Sequence, residues 1–305
     1  MRPYDILVAG EINPDLILSG NVVPEFGQVE KLVDRATLAI GSSSVIFACG
    51  AVRLGLKVTF IGVCGDDIFG HFMLDEMQKR GMDVSNVIFP KDGQTGLSVI
   101  LNQGTDRAIL TYPGLIAALR ASNISDALLQ KARHLHVASY FLQTNLQSDL
   151  PDLFRRARSL GLTTSLDTNY DPSEKWFGFN ELLSATDIFF PNKTEALSIT
   201  QSNDVESAAK QLANKSKLVV IKLGAEGAIL QTNDRMISIQ SIPVNIVDTV
   251  GAGDAFDAGF LYGYLNHWDL EKSLRFGVAC GAFSTQAPGG VVGQPTLDEA
   301  LAFLK

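Results

Sequence analysis

Short, mainly apolar runs alternate with stretches of helical spacing along nearly the whole chain. Ile6–Ala9, Val58–Val63, Leu135–Ala138, Thr164–Leu166, Ile188–Phe190 and Leu218–Leu223 have strand length and predict buried strands. Between them, Asp67–Arg80, Asp149–Leu160 and Asn203–Lys215 place apolar residues at helical intervals. Strand and helix in repetition predict an α/β fold: a parallel sheet covered by helices on both faces. Two pieces break the rhythm. Asp15–Ala39 and Thr95–Tyr112 read as extended, the second as two β runs joined by Gln103-Gly104-Thr105-Asp106. Each interrupts the pattern at a junction between strand and helix, so together they predict a small β lid, over about 14–40 and 95–113, that keeps a ligand from water.

Composition narrows the partners. The chain has 305 residues, with 33 acidic and 25 basic side chains for a net charge of −8 and no basic cluster. Nucleic acid and anionic membrane are therefore poor partners. The charge-free stretches Ala36–Val52 and Phe276–Leu297 are broken by Gly, Ser, Thr, Gln or Pro, so neither predicts a membrane span. Three separated cysteines in apolar surroundings, and an N-terminus that enters a strand pattern directly, predict a cytoplasmic protein without disulfides.

The sharpest chemistry lies in Val247–Gly259, VDTVGAGDAFDAG. A β run, Val244–Val247, enters a Gly-Ala-Gly turn and a helical pattern leaves it. The amides of Gly251, Ala252 and Gly253 would point from a helix N-terminus, where an anion is favoured. Asp254 beside such a pocket has two readings: a helix cap, or a base that takes a proton from a nucleophile attacking a bound phosphate. A dinucleotide fingerprint fails because Phe256 stands at its third glycine. No Gly-Lys pair and no His-Arg-Asp triplet occur, which excludes a P-loop and a protein-kinase catalytic loop.

The run from Asp248 to Phe256 resembles the C-terminal signature of the ribokinase (PfkB-type) carbohydrate kinase family. Gly41–Gly70, with Ala48, Leu54-Gly55, Gly62, Gly65, Asp66 and Gly70, resembles the N-terminal signature of the same family. The resemblance spans essentially the whole chain. It implies a single ribokinase-like α/β/α sandwich domain over 1–305, with a mainly parallel sheet and a β lid. It also implies an ATP-dependent sugar kinase with Mg²⁺, and in many members a monovalent cation such as K⁺. Its general base falls on Asp254 and its anion hole on Gly251, Ala252 and Gly253.

Pro191-Asn-Lys-Thr-Glu195 matches the family's Asn-x-x-Glu element, which implies that Asn192 and Glu195 help hold magnesium through waters. The same spacing is also a capping box, as at Asn203…Glu206 and Thr296…Glu299. Lys222, Gly224 and Gly227 resemble the nucleotide-side strand and turn, where the glycines also fit an ordinary hairpin. Thr249 and Cys280 fall on the nucleotide side as well. Asp248 and the Val250 carbonyl map to the cation site. On the sugar side, the resemblance implies Asn13, Asp15, Gly41, Ser42, Asp167 and Asn169. Arg107 on the lid fits either a substrate contact or a surface ion pair.

Two departures bear on the substrate. Many members have Gly-Gly and then Asn where this chain has Gly41-Ser42 and Ile46, and Arg where it has Tyr170 and Asp171. An apolar wall replaces an amide, which speaks against D-ribose and leaves a hexose, a sugar acid, or a nucleoside packed on Ile46. A nucleoside kinase on this scaffold, or a silent ligand-binding protein that kept the fold, are the alternatives. The resemblance permits a homodimer through the lid strands. The remaining residues have plainer readings: His134 and His136 alternate on a strand, Met73 and Met77 share a core face, and Trp176 is a candidate pocket wall.

Overall fold

The computed structural model describes residues 2–103 and 106–304, so Gly104 and Thr105 of the expected lid turn lie outside the described residues. In chain order the strands are β1 (Tyr4–Ala9), β2 (Pro14–Ser19), β3 (Arg35–Ile40), β4 (Val58–Ile61), β5 (Leu97–Gln103) and β6 (Asp106–Tyr112). They continue as β7 (Ala132–Val137), β8 (Thr163–Leu166), β9 (Ile188–Phe189), β10 (Leu218–Lys222), β11 (Ala228–Gln231) and β12 (Met236–Ile239). The helices are α1 (Ser43–Arg53), α2 (Ile68–Lys79), α3 (Asp126–Leu129), α4 (Thr144–Gln147), α5 (Leu150–Ser159) and α6 (Phe179–Ala185). After them come α7 (Lys193–Thr200), α8 (Val205–Ala213), α9 (Ala252–Leu265), α10 (Leu270–Ser284) and α11 (Leu297–Ala302).

The main sheet runs β12-β11-β10-β9-β8-β7-β1-β4 and is parallel from β10 to β4. Its strands are apolar on both faces because each face is covered. Ile6, Val8 and Val220 join the core under α1, α2, α9 and α10. Leu7, Ala9, Val219 and Ile221 join the core under α5, α6 and α8. The chain leaves β1 for β4 on one side and later builds β7 on the other. That reversal opens a crevice beyond the carboxyl ends of β1 and β7, where sheets of this kind bind ligands.

A second sheet, β3-β2-β5-β6, is formed by the two extended pieces. Directly paired residues share a face. Asp15, Ser98 and Thr111 therefore lie on one face together with Ile17, Ile100, Ile109 and Arg107, while Leu16, Leu38, Val99 and Leu110 lie on the other. The glycines of the N-terminal signature root this sheet. Asp67 caps α2 through the Phe69 and Gly70 amides and also accepts the Thr95 amide at 2.8 Å. A side chain at Gly70 would stand 2.2 Å from the Gly65 carbonyl, so the turn closes only with glycine there.

Several local expectations change. Val244–Val247 forms no strand: Pro243 precedes it, Ile246 and Val247 are exposed, and the segment walls a cleft. Helix α8 is capped by Asp204, whose carboxylate accepts the Ser207 amide at 2.8 Å, one residue beyond Asn203. His134 and His136 are held by Thr163 and Ser165 at 2.7 Å, and burial drives their pKa values down, that of His134 to about 3. Met73 and Met77 are fully buried. Among the described residues no helix is long and apolar enough to cross a membrane.

Candidate active site

Gly251 caps α9 with φ +70°, and the helix begins at Ala252, so the amides of its first turn open outward. Asp254 belongs to that turn but caps nothing. Its carboxylate instead accepts a hydrogen bond from the Ser43 hydroxyl at the start of α1. Ser43 also lies 3.4 Å from the Asn169 amide oxygen, so the three side chains join α9, α1 and the loop after β8. Burial pushes the Asp254 pKa up to about 8, Asp167 adds to the rise, and Ser43 and Lys222 oppose it.

On the lid side, Asp15 is buried against Gly41, and burial raises its pKa to about 7 against the pull of Arg107. Arg107 also lies 3.8 Å from Asp248, across the gap between β6 and the loop before α9. Asn13 is buried beside Pro14. Ser42 takes a left-handed backbone (φ 66°), caps α1 through the Val45 amide, and donates to Glu11. Asn169 is left-handed too (φ 54°), which turns its amide towards Ser43 and the Ser139 amide.

A cleft of about 480 Å³ opens on the other side of the Gly251–Gly253 turn. Lys222, Gly224, Gly227, Thr249, Ala252 and Gly253 line it, with the α10 residues Val278, Gly281 and Ala282 forming its far wall. Gly224 and Gly227 form the β10–β11 hairpin turn and also lie on the rim of the cleft. Cys280 is not in that wall. It is turned into the core against Gly259, because its position on α10 faces α9.

Three further expectations are modified by the packing. Lys222 lines the cleft, yet its ammonium is taken up by two carboxylates, 2.6 Å from Asp167 and 3.2 Å from Asp257. Ile46 is 4% exposed and supports Gly251 and Gly290 from beneath, so it is not a free wall for a ligand. Asn192 and Glu195 form a complete capping box at α7, with both Glu195 oxygens bonded to Asn192. A carboxylate offers about four acceptor sites, so each oxygen keeps one for a water. Burial raises the Glu195 pKa to about 7, with Asp167 adding to the rise.

Asp248 accepts the Val250 amide at 3.0 Å and the Gly289 amide at 2.9 Å, tying the turn before α9 to the segment after α10. Trp176 packs edge-on against Phe141 and Tyr170 beside Asn169. Four residues at the site escape sequence reasoning: Glu11, Ser43, Ser139 and Asp257. Glu11 accepts from Ser42, Ser44 and Ser139. The serine run 42–44 at a helix start, and a second acid one turn after Asp254 on an apolar helix, were the available signals.

The doubly wound sheet, the cleft at its carboxyl edge and the small sheet beside it define an α/β fold with a ligand-sized cleft; the family and relatives below make it a phosphotransferase with an alcohol group as acceptor. The chain belongs to the PfkB family of carbohydrate kinases: the pattern described as pfkB family carbohydrate kinase matches residues 6–297. It is 29% identical, over all of this chain and 94% of the relative, to the 5-dehydro-2-deoxygluconokinase of Geobacillus thermodenitrificans. It is 31% identical, over 92% of this chain and 90% of the relative, to the 2-dehydro-3-deoxygluconokinase of Bacillus subtilis. The fold matches that of Arabidopsis thaliana ribokinase complexed with ribose and ATP, with TM-score 0.89 at 23% identity over 100% of this chain and 99% of that one. The expected ribokinase-like fold is thereby borne out, and membership of the family implies ATP use.

Proposed function

We propose that this chain transfers the γ-phosphate of Mg·ATP to a hydroxymethyl group of a sugar or sugar derivative, with Asp254 as general base. The observation that carries this reading is the placement of Asp254. It is a buried carboxylate in the turn that presents the Gly251–Gly253 amides, with the nucleotide-sized cleft on one side and Asn169 on the other. Asp254 takes the proton of the sugar hydroxyl as that oxygen attacks the γ-phosphorus in line and ADP leaves. The three amides steady the charge on the phosphoryl oxygens during transfer. Asp15, Asn13 and Asn169 orient the sugar. Two relatives named as kinases of dehydrodeoxygluconates make a sugar acid the leading acceptor class.

Magnesium would be held through waters by Glu195 and Asn192, which keep free acceptor sites, and it would neutralise the phosphate charge. Among the described residues no three His, Cys, Asp or Glu side chains could hold a metal. A potassium ion would therefore rest on backbone carbonyls such as that of Val250, with Asp248 beside them. The nucleoside alternative loses its support with Ile46 buried beneath Gly251. Coupled ADP release over hexoses, pentoses, sugar acids and nucleosides, with and without potassium, tests the reading. A sugar-acid signal is expected; a protein that binds ATP but turns over no sugar on the panel would sink it.

The β2-β3-β5-β6 sheet acts here as the lid. Bound sugar should slow protease cleavage of 14–40 and 95–113, and unchanged cleavage with a substrate bound would refute the lid. The face with Leu16, Leu38 and Leu110 is where a second copy would pair, giving a sedimentation mass of twice 32.9 kDa.

A further inference from the structure

Behind the anion pocket, side chains from three elements close a buried cluster that phosphoryl transfer itself does not use. Asp167 follows β8, Lys222 ends β10, and Asp257 lies one turn beyond Asp254 on α9. The Lys222 ammonium is 2.6 Å from one Asp167 oxygen and 3.2 and 3.3 Å from the two Asp257 oxygens. The Asp167 and Asp257 side chains are 6% and 1% exposed, and that of Lys222 12%. The lysine also packs below the anion pocket, its ammonium 3.4 Å from where a side chain on Gly253 would begin.

Two ionised carboxylates and one ammonium would leave a net negative charge here, next to Asp254 and Glu195. A buried site does not tolerate that, and one acid keeps its proton instead. Geometry selects which. Asp167 has the shorter contact to Lys222 and accepts the Asn169 amide at 3.1 Å, so it has the partners an anion needs. Asp257 has the two longer contacts, and the shared ammonium brings its carboxyl group beside that of Asp167. In agreement, burial pushes the Asp257 pKa well above the carboxylate range. Asp167 is also buried, yet Lys222, Asp257 and the Asn169 amide hold it below that range.

We propose that Asp257 is a positioning residue that works as a neutral carboxylic acid. It gives its proton to Asp167, and the two together lock the Lys222 ammonium under Gly253, fixing the first turn of α9. That turn carries both the anion pocket and Asp254, so a small slip of the cluster misplaces base and phosphate together. The groups facing Asp257 are Asp167 after β8, Lys222 on β10 and Asp254 on its own helix. The inference deepens the phosphoryl-transfer reading and rests on it for its kinetic part alone.

The test compares Asp257→Asn with Asp257→Ala. Asn and Ala are both neutral, but only Asn keeps a donor for Asp167. Asp257→Ala should lower kcat by up to on the order of 10²-fold while KM for ATP and sugar stays close to wild type. Asp257→Asn should recover most of that loss, with an unchanged pH profile. If Asn is as damaging as Ala in a folded protein, the acid acts as an anion and the proposal falls. An infrared difference spectrum, wild type minus Asp257→Asn at pH 7, needs no substrate and should show the carbonyl stretch of a protonated acid. Its absence overturns the proposal even if Asp257→Ala does not fold. Its presence in a protein that phosphorylates no sugar would leave the neutral acid standing and count against the assigned reaction instead.

Discussion

Asp254→Asn is expected to cut turnover steeply and, at the same time, to stabilise the fold, most of all above neutral pH. In the mechanism proposed above the variant lacks the base, so the loss of rate should be on the order of 10²–10⁴-fold. Burial raises the carboxyl to about 8 from an ordinary 3.8. The folded protein therefore binds this proton more tightly than the unfolded chain does. Stability from this group is fully present below about pH 4 and is lost as the pH rises through about 8. Asp15 and Glu195, each raised to about 7, act with the same sign. Asparagine keeps an acceptor for Ser43 and has no charge to bury, so it avoids the loss at position 254.

The gain should be small at pH 5 and reach on the order of 1–3 kcal/mol above pH 8, less than a full conversion of the shift because the site relaxes. Thermal melts of both proteins from pH 5 to 9 measure it. In the free wild-type enzyme, kcat/KM should rise with pH towards the same value of about 8, since only the ionised carboxylate accepts the proton. An Asn variant that melts lower than wild type at every pH would mean that the carboxylate serves the fold, and the assignment as base would fail with it.

Gly251→Ala should damage stability and rate together. The residue has φ +70°, which a side chain disfavours by about 1–2 kcal/mol. A Cβ there would also stand 2.8 Å from the Cα and carbonyl oxygen of Gly290 and from Ile46. Two of those atoms are backbone, so α9 must move, and overpacking of this kind typically costs about 1–3 kcal/mol. Moving the helix start would also turn away the three amides to which the proposed mechanism gives the phosphoryl charge, and losing one such donor costs roughly 10²–10³ in kcat.

Gly253→Ala is the control. Its Cβ would meet only the Lys222 side chain, at 3.4–3.7 Å, so it should melt close to wild type while KM for ATP rises. Equal melting temperatures for Gly251→Ala and wild type would show that the turn is loose, and an anion hole fixed by that turn would then be untenable.

The chain by itself determined the layered α/β architecture. Alternation such as Ile6 and Val8 against Leu7 and Ala9, and the doubly apolar run 218–221, encode burial on two faces. It also determined where a tight turn opens a helix, because Gly251 and Gly253 ahead of a helical run let the backbone take that turn locally. Other features it left open. Val244–Val247 has a strand's composition, yet it walls the cleft, since pairing depends on a neighbour that the sequence does not name. Cys280 was expected on the nucleotide side, but the phase of α10 turns its thiol to Gly259. Above all, Ser43 meets Asp254 across 211 residues, and Lys222 finds Asp167 across 55 and Asp257 across 35. Periodicity records how each segment is buried; which buried acid faces which donor is decided only when sheet order and helix phase are fixed together.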